Sequence, residues 1–240
     1  MRNLVFPLLA RVLTGTVAAD FSFIANVLTN IPFLLIGLFG LRLTAPAPGR
    51  RDSSLADPLV AFMLSLILVG IGSIFYHLSP SPDRLFWDRL PIAICLAAFA
   101  CAAANVCRES GIGSALLPYA LVVAGSSVVY WYVTWLRGHE DLRFYAAVQM
   151  VAAGVGVIVA FRRPDRFAGA GELRVAMFFY LSARILELFQ QRIFDRVGTD
   201  LAHPLKHLLV AFAAWKIVYA LSPAGNRARL RGTFAADLRR

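Results

Sequence analysis

Apolar residues in this chain run in long stretches instead of alternating with polar ones at the period of an amphipathic helix or a half-buried strand. Stretches of about 20 residues match the hydrocarbon core of a bilayer at a helical rise of ~1.5 Å per residue. The pattern predicts seven transmembrane helices, at about 22–41, 58–78, 89–106, 113–136, 144–161, 175–190 and 204–222. The connections are short and carry loop punctuation: 45–51 reads Ala-Pro-Ala-Pro-Gly-Arg-Arg, 79–83 Ser-Pro-Ser-Pro-Asp, and 162–166 Arg-Arg-Pro-Asp-Arg. The expected fold is therefore all-α, a polytopic seven-helix membrane bundle forming a single domain over 1–240 and ending in a basic tail at 223–240. At the other end, Arg2, a brief apolar stretch and Val17-Ala18-Ala19 resemble a cleavable secretion signal, but Arg11 interrupts its apolar part. An interfacial segment leading into the first span is the preferred reading.

Composition agrees. With 59% hydrophobic and 16% charged residues and a mean hydropathy of +0.66, the chain lies outside the globular range. A net charge of +10 raises the question of nucleic acid, yet basic residues in a polytopic protein report orientation and contact with anionic lipid. Thirteen arginines fall in the first, third and fifth loops and the tail: Arg42, Arg50, Arg51, Arg108, Arg162, Arg163, Arg166, Arg174, Arg227, Arg229, Arg231, Arg239 and Arg240. Eight fall on the other side: Arg2, Arg11, Arg84, Arg89, Arg137, Arg143, Arg192 and Arg196. The N-terminus is expected outside and the C-terminus in the cytoplasm, with the tail on anionic lipid and no nucleic-acid or protein partner indicated. The Ala-, Leu- and Arg-rich composition points to a bacterial inner membrane. Cys95, Cys101 and Cys107 share one predicted span and are expected to pack as small apolar groups, without a disulfide.

The candidate chemistry lies in a few polar residues. His77 follows Ser73 by four residues, and His203 precedes His207 by four. Residues at i, i+4 share a helix face, so two such helices can close a three-nitrogen metal site with a fourth position left for water. The predicted topology puts His77, Asp88, His203 and His207 at one membrane surface. Each has a plainer reading too: a histidine can hydrogen-bond a neighbouring helix, Ser73 can back-bond to its own helix, and Asp88 can be an N-cap with Pro91 in the first turn. Ionisable groups inside spans are costly and default to function. Arg184 and Glu187 read as an internal ion pair, Lys216 as snorkelling to the cytoplasmic surface, and Tyr130, Trp131, Tyr132 and Trp135 as an interfacial aromatic belt.

Three local sequences, Gly70-Ile71-Gly72-Ser73-Ile74-Phe75-Tyr76-His77, Leu85-Phe86-Trp87-Asp88-Arg89-Leu90-Pro91 and His203-Pro204-Leu205-Lys206-His207, together resemble the alkaline ceramidase family of seven-span hydrolases. That family shares a superfamily with the progestin and adiponectin receptors. The stretch Ile24-Ala25-Asn26-Val27-Leu28-Thr29-Asn30 and then Gly37-Leu38-Phe39-Gly40-Leu41 is similar to the family's first span, whereas spans four to six match mainly in hydropathy. The resemblance implies a Zn²⁺ held by His77, His203 and His207 with water as fourth ligand. It implies Asp88 as the group that orients and deprotonates that water, and Ser73 as a donor to the developing oxyanion. The reaction implied is cleavage of the amide of an N-acylated, ceramide-like lipid to a fatty acid and an amine. Two departures stand out. The family's N-terminal calcium site is expected to be absent, because the segment before span one offers only Asp20 and Asn26 stands where a glutamate is usual. Pro204 between the paired histidines fits only if His203 opens the helix. Alternatives are a seven-span lipid receptor or sensor with a structural zinc site, and a haem protein with two axial histidines, which leaves the third histidine, Ser73 and Asp88 unexplained.

Overall fold

A computed structural model of the chain describes residues 17–44, 57–108, 111–162, 169–197 and 200–222. Residues 1–16, with Arg2 and Arg11 of the signal-like pattern, and the basic tail lie outside these residues, whereas Val17-Ala18-Ala19 opens the first helix. The described residues form helices α1 (Val17–Leu28), α2 (Ile31–Thr44), α3 (Pro58–Leu78), α4 (Pro82–Arg108), α5 (Ile112–Leu136), α6 (Arg143–Arg162), α7 (Ala170–Val197) and α8 (Ala202–Leu221). No strand occurs among them, and the fold is an all-α polytopic bundle. α2, α3, α4, α6, α7 and α8 close a ring in which each packs on the next and α8 returns to α2, while α5 leans on α4 and α6. Alanines 98, 102, 103, 176, 211 and 214 lie buried in the main apolar cluster, where small side chains let helix backbones approach.

Among the described residues, six helical segments are long and apolar enough to cross a membrane: Phe23–Thr44, Pro58–Leu78, Pro82–Val106, Ile112–Leu136, Arg143–Phe161 and Ala202–Leu221. The first is not one helix. Pro32 lacks the N–H that would bond to Leu28, and its ring clashes with that turn, so the helix stops at Leu28 and restarts at Ile31. Side chains fill the gap: Asn30 Nδ2 donates to the Asn26 carbonyl at 2.7 Å and the Thr29 hydroxyl to the Ala25 carbonyl at 2.7 Å.

The expected sixth span, 175–190, is the middle of the 28-residue α7, which carries too many charges to count among the six apolar segments. The path of the chain nevertheless carries α7 across. α4, α5 and α6 succeed one another through short connections, and ion pairs and hydrogen bonds tie the start of α4 to the end of α5 and its following loop: Tyr132 with Asp83, and Arg89 with Glu140 at 3.4 Å. α6 therefore ends on the face opposite the end of α3. Yet His203, in the first turn of α8, touches His77 at the end of α3. α7 must connect the two faces. Its exposed stripe of Phe178, Leu181, Ile185 and Leu188 suits lipid, and Arg184 and Glu187 pair with each other as expected.

The α3–α4 corner sets up the functional residues. Asp57 caps α3 by accepting from Leu59 N at 2.8 Å, with Pro58 in the first position. Ser81 accepts from Arg84 N at 3.3 Å, so α4 starts at Pro82, seven residues before the expected 89. Asp88 is thus an internal helical residue and not an N-cap. Pro91 lies inside α4 and withholds the N–H that would bond Trp87's carbonyl. Gly72 packs against that carbonyl so closely that a Cβ there would stand 2.3 Å from the oxygen. Small size at 72 brings the two helices into backbone contact one residue from Ser73 and one from Asp88.

Candidate metal centre and neighbouring acid

The three span histidines converge. His77 comes from the last turn of α3, and His203 and His207 from the first two turns of α8; one ring nitrogen of each lies within 4.8 Å of the others. Nε2 of His203 and Nε2 of His77 stand 3.2 Å apart. Two nitrogens on a tetrahedral metal at about 2.0–2.1 Å would stand roughly 3.3 Å apart. His77 and His207 are buried, at 7% and 8% exposure, so their rings meet protein instead of bulk water. Pro204 does no harm: α8 starts at Ala202, which leaves the proline in the first turn, where its missing N–H costs nothing. The donor set therefore fits a cation that prefers imidazole nitrogen.

Groups behind the rings hold them in place. The Thr29 hydroxyl, itself donating to Ala25, stands 3.1 Å from Nδ1 of His207, and the side-chain amide nitrogen of Asn30, a residue only 1% exposed, lies 3.2 Å from the same nitrogen. These two neighbours occupy the Nδ1 edge of the ring and leave Nε2 free to ligate. Gln190 of α7 stands 3.3 Å from Nδ1 of His203 and reaches the Asp200 carboxylate at 3.1 and 3.2 Å. Asp200 also accepts from the His203 backbone N–H at 3.3 Å, anchoring the first turn of α8.

Asp88 and Ser73 meet across the α3–α4 contact, with the Ser73 hydroxyl directed at the Asp88 carboxyl. Oδ1 of Asp88 is buried without a protein hydrogen-bond partner. Arg89, beside it, stacks on the Trp131 ring at 4.0 Å, and Glu140 accepts from both Arg89 and Trp131 Nε1, the latter at 2.7 Å. Trp131 is 1% exposed, which takes it out of the expected lipid-facing belt; Tyr130 remains in it at 43%. Outside the spans, Asp141 is held well below the usual carboxylate range, chiefly by the Arg143 guanidinium and backbone N–H and then by Tyr130.

The expected residues that the structure gathers are His77, His203 and His207 as one group and Ser73 with Asp88 as the other. Reading the sequence assigned no role to Thr29, Asn30, Gln190 or Asp200; the available signal was Asn26-Val27-Leu28-Thr29-Asn30, polar residues one helical turn apart inside an apolar run. Cys95 and Cys101 are free and buried, as expected. Lys216, expected to snorkel, pairs with Glu172 at 2.9 Å. No curated protein matches the chain. A family model described as Ceramidase matches residues 16–219, and the chain therefore belongs to the ceramidase family.

Proposed function

We propose that this ceramidase-family membrane protein is a zinc-dependent amidase that cleaves N-acylated lipids to a fatty acid and an amine at the His77, His203 and His207 centre. One observation carries the reading: three ring nitrogens within 4.8 Å of one another on α3 and α8, on the helix that also directs Ser73 at Asp88. Zinc bound by the three imidazoles would supply a Lewis acid that polarises the amide carbonyl and brings the pKa of a water toward ~7. The remaining work falls to the chain. Asp88 accepts the proton of the attacking water through its free buried oxygen and returns it to the leaving nitrogen. Ser73 fixes the Asp88 carboxyl and is placed to donate to the carbonyl oxygen as charge develops there. Thr29 and Gln190 keep the imidazoles aimed.

The site lies at the end of α3 and the starts of α4 and α8, the depth of the headgroups, where the amide of a membrane lipid sits and acyl chains point inward. The arginine count supports an orientation with this face and the N-terminus outside the cytoplasm and the basic tail on the cytoplasmic side, facing anionic lipid. The test is metal content of detergent-purified protein, wild type beside His207→Ala, together with fatty-acid release from a panel of N-acyl lipids. About one zinc per chain, lost in the variant along with amide cleavage, is expected. Zinc without turnover of any lipid would replace the enzyme by a receptor-like protein with a structural metal, and absence of metal would remove the centre itself.

A further inference from the structure

The first turns of α4 make two sets of contacts. Toward α3, Arg84 donates to the Phe75 carbonyl at 3.2 Å and lies over the Phe75 ring at 4.4 Å, and the Trp87 carbonyl meets Gly72. Toward α5 stand Asp83, Phe86 and Arg89, spaced i, i+3, i+6 along one side of the helix. The Tyr132 hydroxyl of α5 donates to Asp83, and its ring meets that of Phe86 with centroids 5.2 Å apart. The Arg89 guanidinium lies over the Trp131 ring at 4.0 Å, and its Nη1 reaches Glu140 Oε1 at 3.4 Å. Trp131 Nε1 donates to the same Glu140 oxygen at 2.7 Å. Guanidinium, indole and carboxylate thus close one cycle, each touching the other two.

Such a cycle is a costly way to dock a helix. Further along, Ala93 and Ala97 of α4 pack on Ala124 and Val128 of α5 with apolar groups alone. The Arg89 side chain is 18% exposed and Trp131 1%, and a shielded ion pair adds little stability over apolar packing of the same shape. What it adds is geometry, because a flat, forked guanidinium meets a ring face and a carboxylate in few arrangements. Geometry needs fixing in this segment. Pro91 withholds the N–H that would bond Trp87's carbonyl, so the turns that carry Asp88 join the rest of α4 one hydrogen bond short.

We propose that Arg89, held by Trp131 and Glu140, is a positioning residue for Asp88. By fixing the turn of α4 next to the acid, it gives α5, which stands outside the ring of helices, the task of setting how Asp88 meets Ser73. The kinetic consequence rests on the amidase reading above, whereas the geometry can be measured without turnover.

The test uses full-length protein in detergent, with N-palmitoyl sphingosine and N-palmitoyl glycine as probes. Arg89→Gln, Glu140→Ala and the double variant are compared with wild type; the half-exposed Glu140 supplies a variant that spares the packed interior. In protein that elutes as wild type and holds the same metal, each single variant should lower kcat about tenfold with KM within about twofold. The double variant should lose no more than the worse single one, because both act through one cycle; losses that multiply would indicate two unrelated structural contributions and overturn the proposal. Position is read separately from the rate at which diamide cross-links Ser73→Cys to Asp88→Cys, in a chain with Cys95, Cys101 and Cys107 replaced by alanine. Adding Arg89→Gln or Glu140→Ala should slow that rate about fivefold or more, and an unchanged rate overturns the proposal. If neither probe is cleaved by wild type while cross-linking slows as expected, the positioning stands and the amidase reading loses its support. If wild type cleaves a probe and both kcat and cross-linking ignore the variants, the positioning falls alone.

Discussion

Adding one methyl group at Gly72 tests whether the α3–α4 contact sets the rate. A Cβ at this position would stand 2.3 Å from the Trp87 carbonyl oxygen, 3.2 Å from its carbon and 3.3 Å from Pro91 Cγ. Two of the three atoms are backbone and the third is a proline ring, so no side chain can swing aside. Bringing the first contact out to 3.0 Å, below which real contacts essentially never fall, parts the helices by roughly 0.7 Å. Overpacking of this kind costs about 1–3 kcal/mol of stability. The same movement draws Asp88, next to Trp87, away from Ser73, next to Gly72. A misplacement approaching 1 Å between catalytic groups lowers rate by up to about 10²-fold, so Gly72→Ala should reduce kcat for fatty-acid release roughly tenfold to a hundredfold. Zinc should remain bound, because Asp88 is not a ligand and His77 moves only with α3. Protein that elutes as wild type, binds one zinc and turns over within twofold of wild type would refute the argument, since Ser73 and Asp88 would then tolerate separation.

Three further outcomes are expected. Asp88→Asn should abolish amide cleavage while leaving zinc nearly unchanged by elemental analysis; loss of both would make Asp88 a structural support of the centre. Thr29→Val removes a hydroxyl partner of His207 Nδ1 and should weaken zinc binding about tenfold to a hundredfold in chelator competition, whereas Thr29→Ser should retain it. Asp141, its carboxyl depressed by Arg143 in the folded state, contributes stability that is fully present above the usual carboxylate pKa of ~4 and fades as pH falls through its lower folded value. The melting temperature of Asp141→Asn should therefore lie below wild type at pH 7 and converge with it in acid; a constant difference down to the lowest pH reached would exclude this pair as the cause.

How much was legible in the sequence depends on which force set each feature. Burial in lipid is read directly from apolar runs, so six apolar helical segments overlap the expected stretches, with starts governed by Pro58, Pro82 and the Ala202 turn. α7 was harder, because Arg184 and Glu187 raise its polarity while their pairing removes the cost that polarity normally signals. The i, i+4 spacing of His203 and His207 foretold a shared face, and the convergence of His77 followed from parity of the spans. What the pattern could not show was proximity between distant segments. Thr29 and Asn30 look like defects in an apolar helix until His207, 177 residues beyond Asn30, arrives beside them. Trp131 was placed in the aromatic belt because it adjoins Tyr130 and Tyr132, but Arg89 and Glu140 supply it with buried partners that no local rule anticipates. The start of α4 was missed because Asp83, Arg84, Asp88 and Arg89 depress hydropathy over the two turns that Ser81 caps.

The contact between His77 and His203 spans 126 residues, and that separation has a consequence for biogenesis. A chain emerging from the ribosome inserts α3 long before α8 exists, and at that stage it presents one imidazole, too few to retain a metal. Only the arrival of α8 beside α2 and α3 supplies the second and third. The proposed metal capture would thus act as a checkpoint on completed assembly, and a chain that stalls or inserts α7 the wrong way round would be left without the three-histidine centre and without the cross-link it would provide between α3 and α8.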